Sequence, residues 1–177
     1  MQNMYVLYIK QCYAIIALRS WNIMDFVIRK ANQNDAHTTN ELLTFLIKDE
    51  KKYDSNINDN CVVNRLYEDI IPNESNIVLV AEVNGKIVGY LFGYLVNNGD
   101  AYINKVSKLE AVYVAEEYRK NGIATELIRE FKVWSLNNNV VFMEVQVLNN
   151  NFEAMKLYVN NGFKAFKSTL VSNIGNE

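Results

Sequence analysis

The chain has 177 residues, 50% apolar and 21% charged, which is enough apolar surface for one well-packed domain and too little length for two enzyme-sized lobes. With 18 Lys and Arg against 20 Asp and Glu, the net charge of −2 argues against a basic face built for nucleic acid or an anionic membrane. Two cysteines, Cys12 and Cys61, and one histidine, His37, are too few for a zinc constellation or a disulfide framework, so no metal and a reducing cytoplasm are expected. His37 sits in polar sequence between Ala36 and Thr38, far from any nucleophile signature, and a hydrolase triad would have no well-placed base.

Residues 1–23 carry Lys10 and Arg19 but no acid. The uncharged run between those two is eight residues, whereas a membrane span takes about 20. Arg19, Ser20 and Trp21 follow the apolar part where a signal peptide would have small residues. Residues 1–23 are therefore expected to be a leader or upstream-start extension, and residues 24–177 a single domain. Met24 directly precedes Asp25-Phe26-Val27-Ile28-Arg29-Lys30, which reads as the first strand.

Asn34 or Asp35 is then expected to cap a helix whose Leu42, Leu43, Leu46 and Ile47 recur at helical spacing. The spacing of Val62, Val63, Leu66 and Ile70 predicts a second helix over 61–70, ended by Pro72. Two strands, 77–83 and 86–96, flank Asn84-Gly85, a two-residue loop suited to a type I′ hairpin. A loop at 97–100 leads to a strand over 108–114. Ile123, Leu127, Ile128, Phe131 and Trp134 then keep the period of a long helix. Residues 140–147 read as a strand, Ala154, Leu157 and Tyr158 as a short amphipathic helix, and the segment from Phe163 as a last strand after Gly162.

Chemistry is concentrated at the strand-to-helix junction before Ile123. The first turn of a helix offers unpaired N–H groups and a partial positive charge, which together make an anion site if side chains there are small. Gly122, Ala124 and Thr125 keep the backbone accessible, and Arg119 and Lys120 add charge.

Three segments, in order, resemble the GCN5-related N-acetyltransferase (GNAT) family. Arg119-Lys120-Asn121-Gly122-Ile123-Ala124 fits the family's pyrophosphate signature. Asn151, Ala154, Leu157-Tyr158 and Gly162-Phe163 stand at the spacing of a second family segment, and Leu109-Glu110-Ala111-Val112-Tyr113-Val114 is similar to the strand preceding the signature. The resemblance implies an α/β (α+β) acyl-CoA N-acyltransferase fold: a central, mixed, mostly antiparallel twisted sheet flanked by helices.

It also implies acetyl-CoA as co-substrate. Val112, Tyr113 and Val114 would offer backbone groups to the pantetheine arm and the thioester carbonyl. Arg119 and the N–H groups of Lys120, Asn121, Gly122, Ile123, Ala124 and Thr125 would line the pyrophosphate. Asn151 would contact the cofactor arm, and two strands would splay to admit it. Tyr158 matches the family's general acid, which protonates the departing thiolate. Glu110 is expected as the base, directly or through water, because similar polyamine acetyltransferases carry a glutamate at that place. On strand alternation Glu110, Val112 and Val114 would share one face. Glu144 is the second choice. Members similar to ribosomal-protein acetyltransferases have a glutamate where this chain has Gln146, which cannot accept a proton.

Glu116-Glu117 and Asp49-Glu50 read as solvated acidic faces. The expected activity is transfer of an acetyl group to a small-molecule primary amine by direct attack in a ternary complex. A protein or peptide acceptor and a non-catalytic acyl-CoA-binding module are the alternatives. Acceptor specificity is expected from residues 34–72 and 97–105, where Tyr53, Tyr67 and Tyr102 are aromatic candidates for a cleft or for ordinary packing. A homodimer is common in similar proteins.

Overall fold

A computed structural model describes residues 24–172, 174 and 175. The leader expected over residues 1–23, with Cys12, lies outside the described residues. Five strands form one sheet in sequence order: β1 (Val27–Lys30), β2 (Asn76–Val83), β3 (Lys86–Leu95), β4 (Lys105–Val114) and β5 (Val140–Val145). Each neighbouring pair is antiparallel except β4 and β5, which run parallel. The mixed, mostly antiparallel sheet of the sequence reading is thus present.

Helices α1 (Ala36–Glu50) and α2 (Tyr67–Ile70) cover one face, where Leu42, Tyr67, Val80, Tyr90 and Ala111 are buried together. Helices α3 (Ile123–Asn137) and α4 (Phe152–Asn160) cover the other, around Leu91, Leu109, Leu127, Ile128, Phe131 and Tyr158. The apolar period read along α3 is the face it buries against β2 to β5. A Cβ on Gly93 would collide with the Phe131 ring and lie 2.9 Å from the Lys108 carbonyl oxygen, so this glycine lets α3 sit close on the sheet. Asn84 and Gly85, at φ 50° and 78°, make the hairpin turn between β2 and β3 as expected.

Four expected elements differ. Asp35 stands at the N-cap position of α1, as expected, but its side chain makes no cap bond to that helix; the side-chain cap belongs to the turn before it and is Asn32. Its side chain accepts from the Asn34 N–H at 2.9 Å, while Asp35 Oδ2 accepts from the Asn32 N–H at 2.8 Å, a reciprocal box over the short turn Gln33–Asp35. The helix expected over 61–70 shrinks to α2, leaving Val62 and Leu66 exposed. Side chains of α1 hold that stretch open instead: Thr44 Oγ1 accepts from the Val63 N–H at 3.0 Å, and Asn40 Oδ1 from the N–H groups of Leu66 and Tyr67. The described residues from Phe163 onward form no strand; Phe163 stays on α4, its N–H donating to the Tyr158 carbonyl at 3.1 Å, and Lys167 lies 2.9 Å from Glu144 of β5. The strand expected at 108–114 begins three residues earlier, at Lys105.

Asp35 supplies a test of the electrostatics. Its buried carboxylate takes two hydrogen bonds from Arg29, at 2.7 and 3.0 Å, and these hold its pKa below the ordinary value despite burial. A lowered carboxyl pKa contributes stability that is complete above the unfolded value, about pH 4, and is lost as pH falls through the folded value. Acid unfolding of Asp35→Asn is expected to lose that increment, so its stability falls less steeply than wild type below about pH 4. An unchanged slope in urea titrations at several pH values would discount the pair.

Candidate active site

The site begins where two strands part. β4 pairs with β5 only from Lys105 to Leu109, the last pair being Leu109 with Val145. From Ala111 to Val114 it keeps its β3 partners and faces an open gap on the other side. A bulge sits at the parting point: Phe92 pairs with Ala111 and Gly93 with Leu109, so Glu110 is the extra residue. Bulges bend a strand and shift its alternation. Leu109, Val112 and Val114 pack on the α3 face and Ala111 and Tyr113 on the α1 face. The bulge thus turns Glu110 to the α1 face, where Lys108 and Tyr94 meet it, and overturns the expectation that it shares a face with Val112 and Val114.

The hydrogen-bond phase of β4 decides which backbone groups are free. Ala115 N–H donates to Val88 at 2.9 Å, and in an antiparallel ladder such pairs recur every second residue. Tyr113 therefore spends its main-chain groups on β3, whereas those of Val112 and Val114 point into the gap. The Val114 carbonyl is taken by Arg119 Nε at 2.8 Å. Val112 N–H and C=O and Val114 N–H remain, so the expected Tyr113 backbone contribution is not available.

At the near end of the gap the chain turns into α3. Lys120 and Gly122 adopt positive φ, 65° and 85°. The Asn121 side chain bonds back to the carbonyls of Tyr118 and Arg119, both at 3.1 Å. The first paired N–H of the helix belongs to Glu126, which donates to Gly122. The six preceding N–H groups, Lys120 to Thr125, have no acceptor among the described residues. Consecutive free N–H groups around left-handed turns form a concave anion nest, reinforced here by the helix dipole.

Arg119 departs from expectation. Its guanidinium donates to Asp49 at 2.7 Å and lies 5.3 Å from the Tyr113 ring centre, tying the end of α1 to the end of β4 rather than lining the nest. Lys120 stays exposed and pairs with Glu153 of α4 at 3.2 Å.

From the other side of the gap, Asn151 caps α4 with Oδ1 accepting from Ala154 N–H at 3.1 Å, and its amide NH₂ has no partner among the described residues. Tyr158 is 8% exposed, edge-on to Phe163, and its hydroxyl makes no hydrogen bond among the described residues. Burial, and then the nearby charge of Glu50, push its pKa above the tyrosine range.

The acids sort differently from the sequence reading. Glu110 is 2.8 Å from Lys108, its side chain 43% exposed. Glu144 pairs with Lys167. Glu116 and Glu117 are exposed, as expected. Asp49 and Glu50 are not a solvated face: both are half-buried, Asp49 bonded to Arg119, and Glu50 carries a pKa raised by burial and by Asp54. Among the aromatic candidates Tyr67 is core, with its ring centre 5.5 Å from that of Tyr90, while Tyr53 is half-buried and Tyr102 exposed.

A parted β4/β5 pair with a bare N–H nest beside it defines an acyl-CoA-type transferase fold, and similarity to known proteins agrees. The Acetyltransferase (GNAT) family description matches residues 24–163, and the chain belongs to that family of acetyltransferases. One relative, the uncharacterized N-acetyltransferase YobR of Bacillus subtilis (strain 168), is 40% identical over 55 residues. That match covers 31% of this chain and 22% of the relative, so the chain spans about a fifth of its length.

A tetramutant of the BH1408 protein from Bacillus halodurans superposes with a TM-score of 0.75 at 20% identity, covering 84% of this chain and 99% of that one. The aminoglycoside acetyltransferase meta-AAC0020, from an uncultured soil metagenomic sample, gives 0.67 at 16%, over 86% and 97%. The ribosomal-protein-alanine N-acetyltransferase of Brucella melitensis biovar Abortus 2308 gives 0.66 at 20%, over 85% and 99%. At these identities the likeness establishes the fold. No described helix is long and apolar enough to cross a membrane.

Proposed function

We propose that the protein transfers the acetyl group of acetyl-CoA to a small-molecule primary amine by direct attack in a ternary complex, in the cytoplasm. The observation that carries this reading is the continuity of three features. The nest from Lys120 to Thr125 suits a pyrophosphate, the free groups of Val112 and Val114 suit the amides of a pantetheine arm laid along β4, and Tyr158, on the helix that Asn151 caps, has a hydroxyl with no partner among the described residues. Asn151 has an amide NH₂ to offer the same arm. Val114 N–H is the group suited to polarise the thioester carbonyl.

Tyr158 donates its proton to the thiolate, and Val112 and Val114 hold the arm in register so that the thioester meets it. A carboxylate on the α1 side removes the proton of the incoming ammonium, which has no lone pair until then. Glu110 reaches that side through its bulge, and its pair with Lys108 has to open for it to accept a proton. The small-amine reading is supported by the half-buried acids Asp49 and Glu50 at the end of α1.

A thiol-release assay with acetyl-CoA over polyamines, aminoglycosides, amino acids and peptides tests the reading. Release driven by a small amine is expected. Release only with peptides would move the activity to a protein acceptor, and thermal stabilisation by acetyl-CoA with no release on any amine would make the protein a binding module.

A further inference from the structure

Glu50 ends α1, and two clamps fix that end over the gap between β4 and β5. On one side its neighbour Asp49 is held by Arg119, whose other nitrogen bonds the carbonyl of Val114 on the gap edge of β4. On the other, the turn after α1 is held where the Tyr53 carbonyl accepts from Asn150, the residue before the Asn151 cap of α4, at 3.0 Å. The end of α1 thus bridges the same two strand-to-helix loops that bound the cofactor path. Between those clamps the Glu50 carboxylate is half-buried and makes no hydrogen bond or ion pair among the described residues. This contrasts with Glu110, which is bonded to Lys108, and Glu144, which is bonded to Lys167.

β5 ends at Val145, and the gap opens beyond it. Burial, and after it the Glu50 charge, raises the pKa of Tyr158 of α4, and burial, the neighbouring Tyr67 and last the Glu50 charge raise that of Tyr90 of β3. Tyr90 is sealed, its hydroxyl without a partner among the described residues, whereas Tyr158 keeps some exposure. A half-buried carboxylate that lacks a cationic partner is costly to hold, and such groups are retained where a ligand supplies the missing charge.

Resting on the acetyltransferase reading above, we propose that Glu50 is the carboxylate that receives the acceptor's ammonium group and takes its proton. The ammonium N–H bond breaks and its proton passes to Glu50, leaving a neutral amine. The nitrogen lone pair forms the C–N bond to the thioester carbonyl carbon, and the C–S bond breaks. The departing thiolate takes the Tyr158 proton, the nitrogen sheds its second proton to the Tyr158 oxygen, and Glu50 returns its proton to water. The sum is amide, thiol and one released proton. The acceptor is thereby a primary amine that is cationic at neutral pH.

The test compares wild type, Glu50→Gln and Glu110→Gln with 1,4-diaminobutane as the cationic probe. Three readouts are taken: thiol release, acetyl-CoA affinity by titration, and calorimetric binding of the diamine to the CoA complex. Glu50→Gln is expected to lose at least about tenfold in kcat/KM for the diamine, as for a displaced general base. Its diamine affinity should fall in parallel while its acetyl-CoA affinity changes by less than about twofold. Glu50→Asp, which keeps the charge, is expected to recover part of the loss.

Activity and diamine affinity of Glu50→Gln within about twofold of wild type would overturn the assignment and leave the transferase reading standing. So would a loss confined to Glu110→Gln, which would give Glu110 the role. A wild type that neither turns over nor binds the diamine would overturn the assignment outright, and the amine panel would then decide the transferase reading separately.

Discussion

Tyr158→Phe is expected to lower kcat by at least about tenfold, within the range for loss of a general acid, while acetyl-CoA affinity and folding stability are retained. The substitution removes one oxygen that bonds nothing among the described residues, and it keeps the ring that packs edge-on against Phe163. A structural role for the hydroxyl would show as a changed melting temperature. Deleting an unpartnered polar atom from a buried position is instead neutral or slightly stabilising.

The pH dependence follows from burial and the Glu50 charge, which both push the phenol upward, so Tyr158 stays protonated through the neutral and mildly alkaline range. The acid it supplies is then not titrated away, and kcat is expected to show no decline due to this group below about pH 10. Turnover unchanged in Tyr158→Phe would remove the residue from the mechanism.

The parts of this fold that were legible in the sequence are those whose determinants are local. Asn84-Gly85 dictates its turn by backbone conformation alone, and α3 announces itself through Leu127, Ile128 and Phe131 because one apolar stripe packs on a whole sheet face. The nest was readable for the same reason: Gly122, Ala124 and Thr125 are small, and the N–H groups of a helix start are free by geometry. The stretch from Cys61 was not, since Val62, Val63 and Leu66 mimic helical spacing while its N–H groups are claimed by Thr44 and Asn40 from another helix. Nothing in Leu109-Glu110-Ala111 marks a bulge, because the extra residue is fixed by how β3 packs, with Gly93 under Phe131. Asp49-Glu50 looks like any surface acid pair until Arg119, 70 residues on, closes over it.

Gly122→Val is expected to weaken acetyl-CoA binding by roughly 5- to 150-fold, the equivalent of 1–3 kcal/mol of backbone strain. At φ 85° the position lies in the left-handed region, which a β-branched residue enters only under strain. A Cβ there would meet nothing within 4 Å, so the cost is one of backbone conformation and not of collision with the protein. In the free variant the turn relaxes to a negative φ, and the six N–H groups from Lys120 to Thr125 no longer point to one centre. Binding then has to restore the turn.

The domain itself is spared, because Gly122 is exposed and packs on no core residue. The loss should therefore appear in acetyl-CoA affinity and in KM for acetyl-CoA, with kcat at saturation nearly preserved. That is the reverse of the pattern expected for Tyr158→Phe. If the pyrophosphate were held by the side chains of Arg119 and Lys120 instead of by main-chain N–H groups, Gly122→Val would bind normally. Removing the Lys120 charge, now paired with Glu153 at the surface, would then cost the affinity. Titration of acetyl-CoA against Gly122→Val and Lys120→Met separates the two.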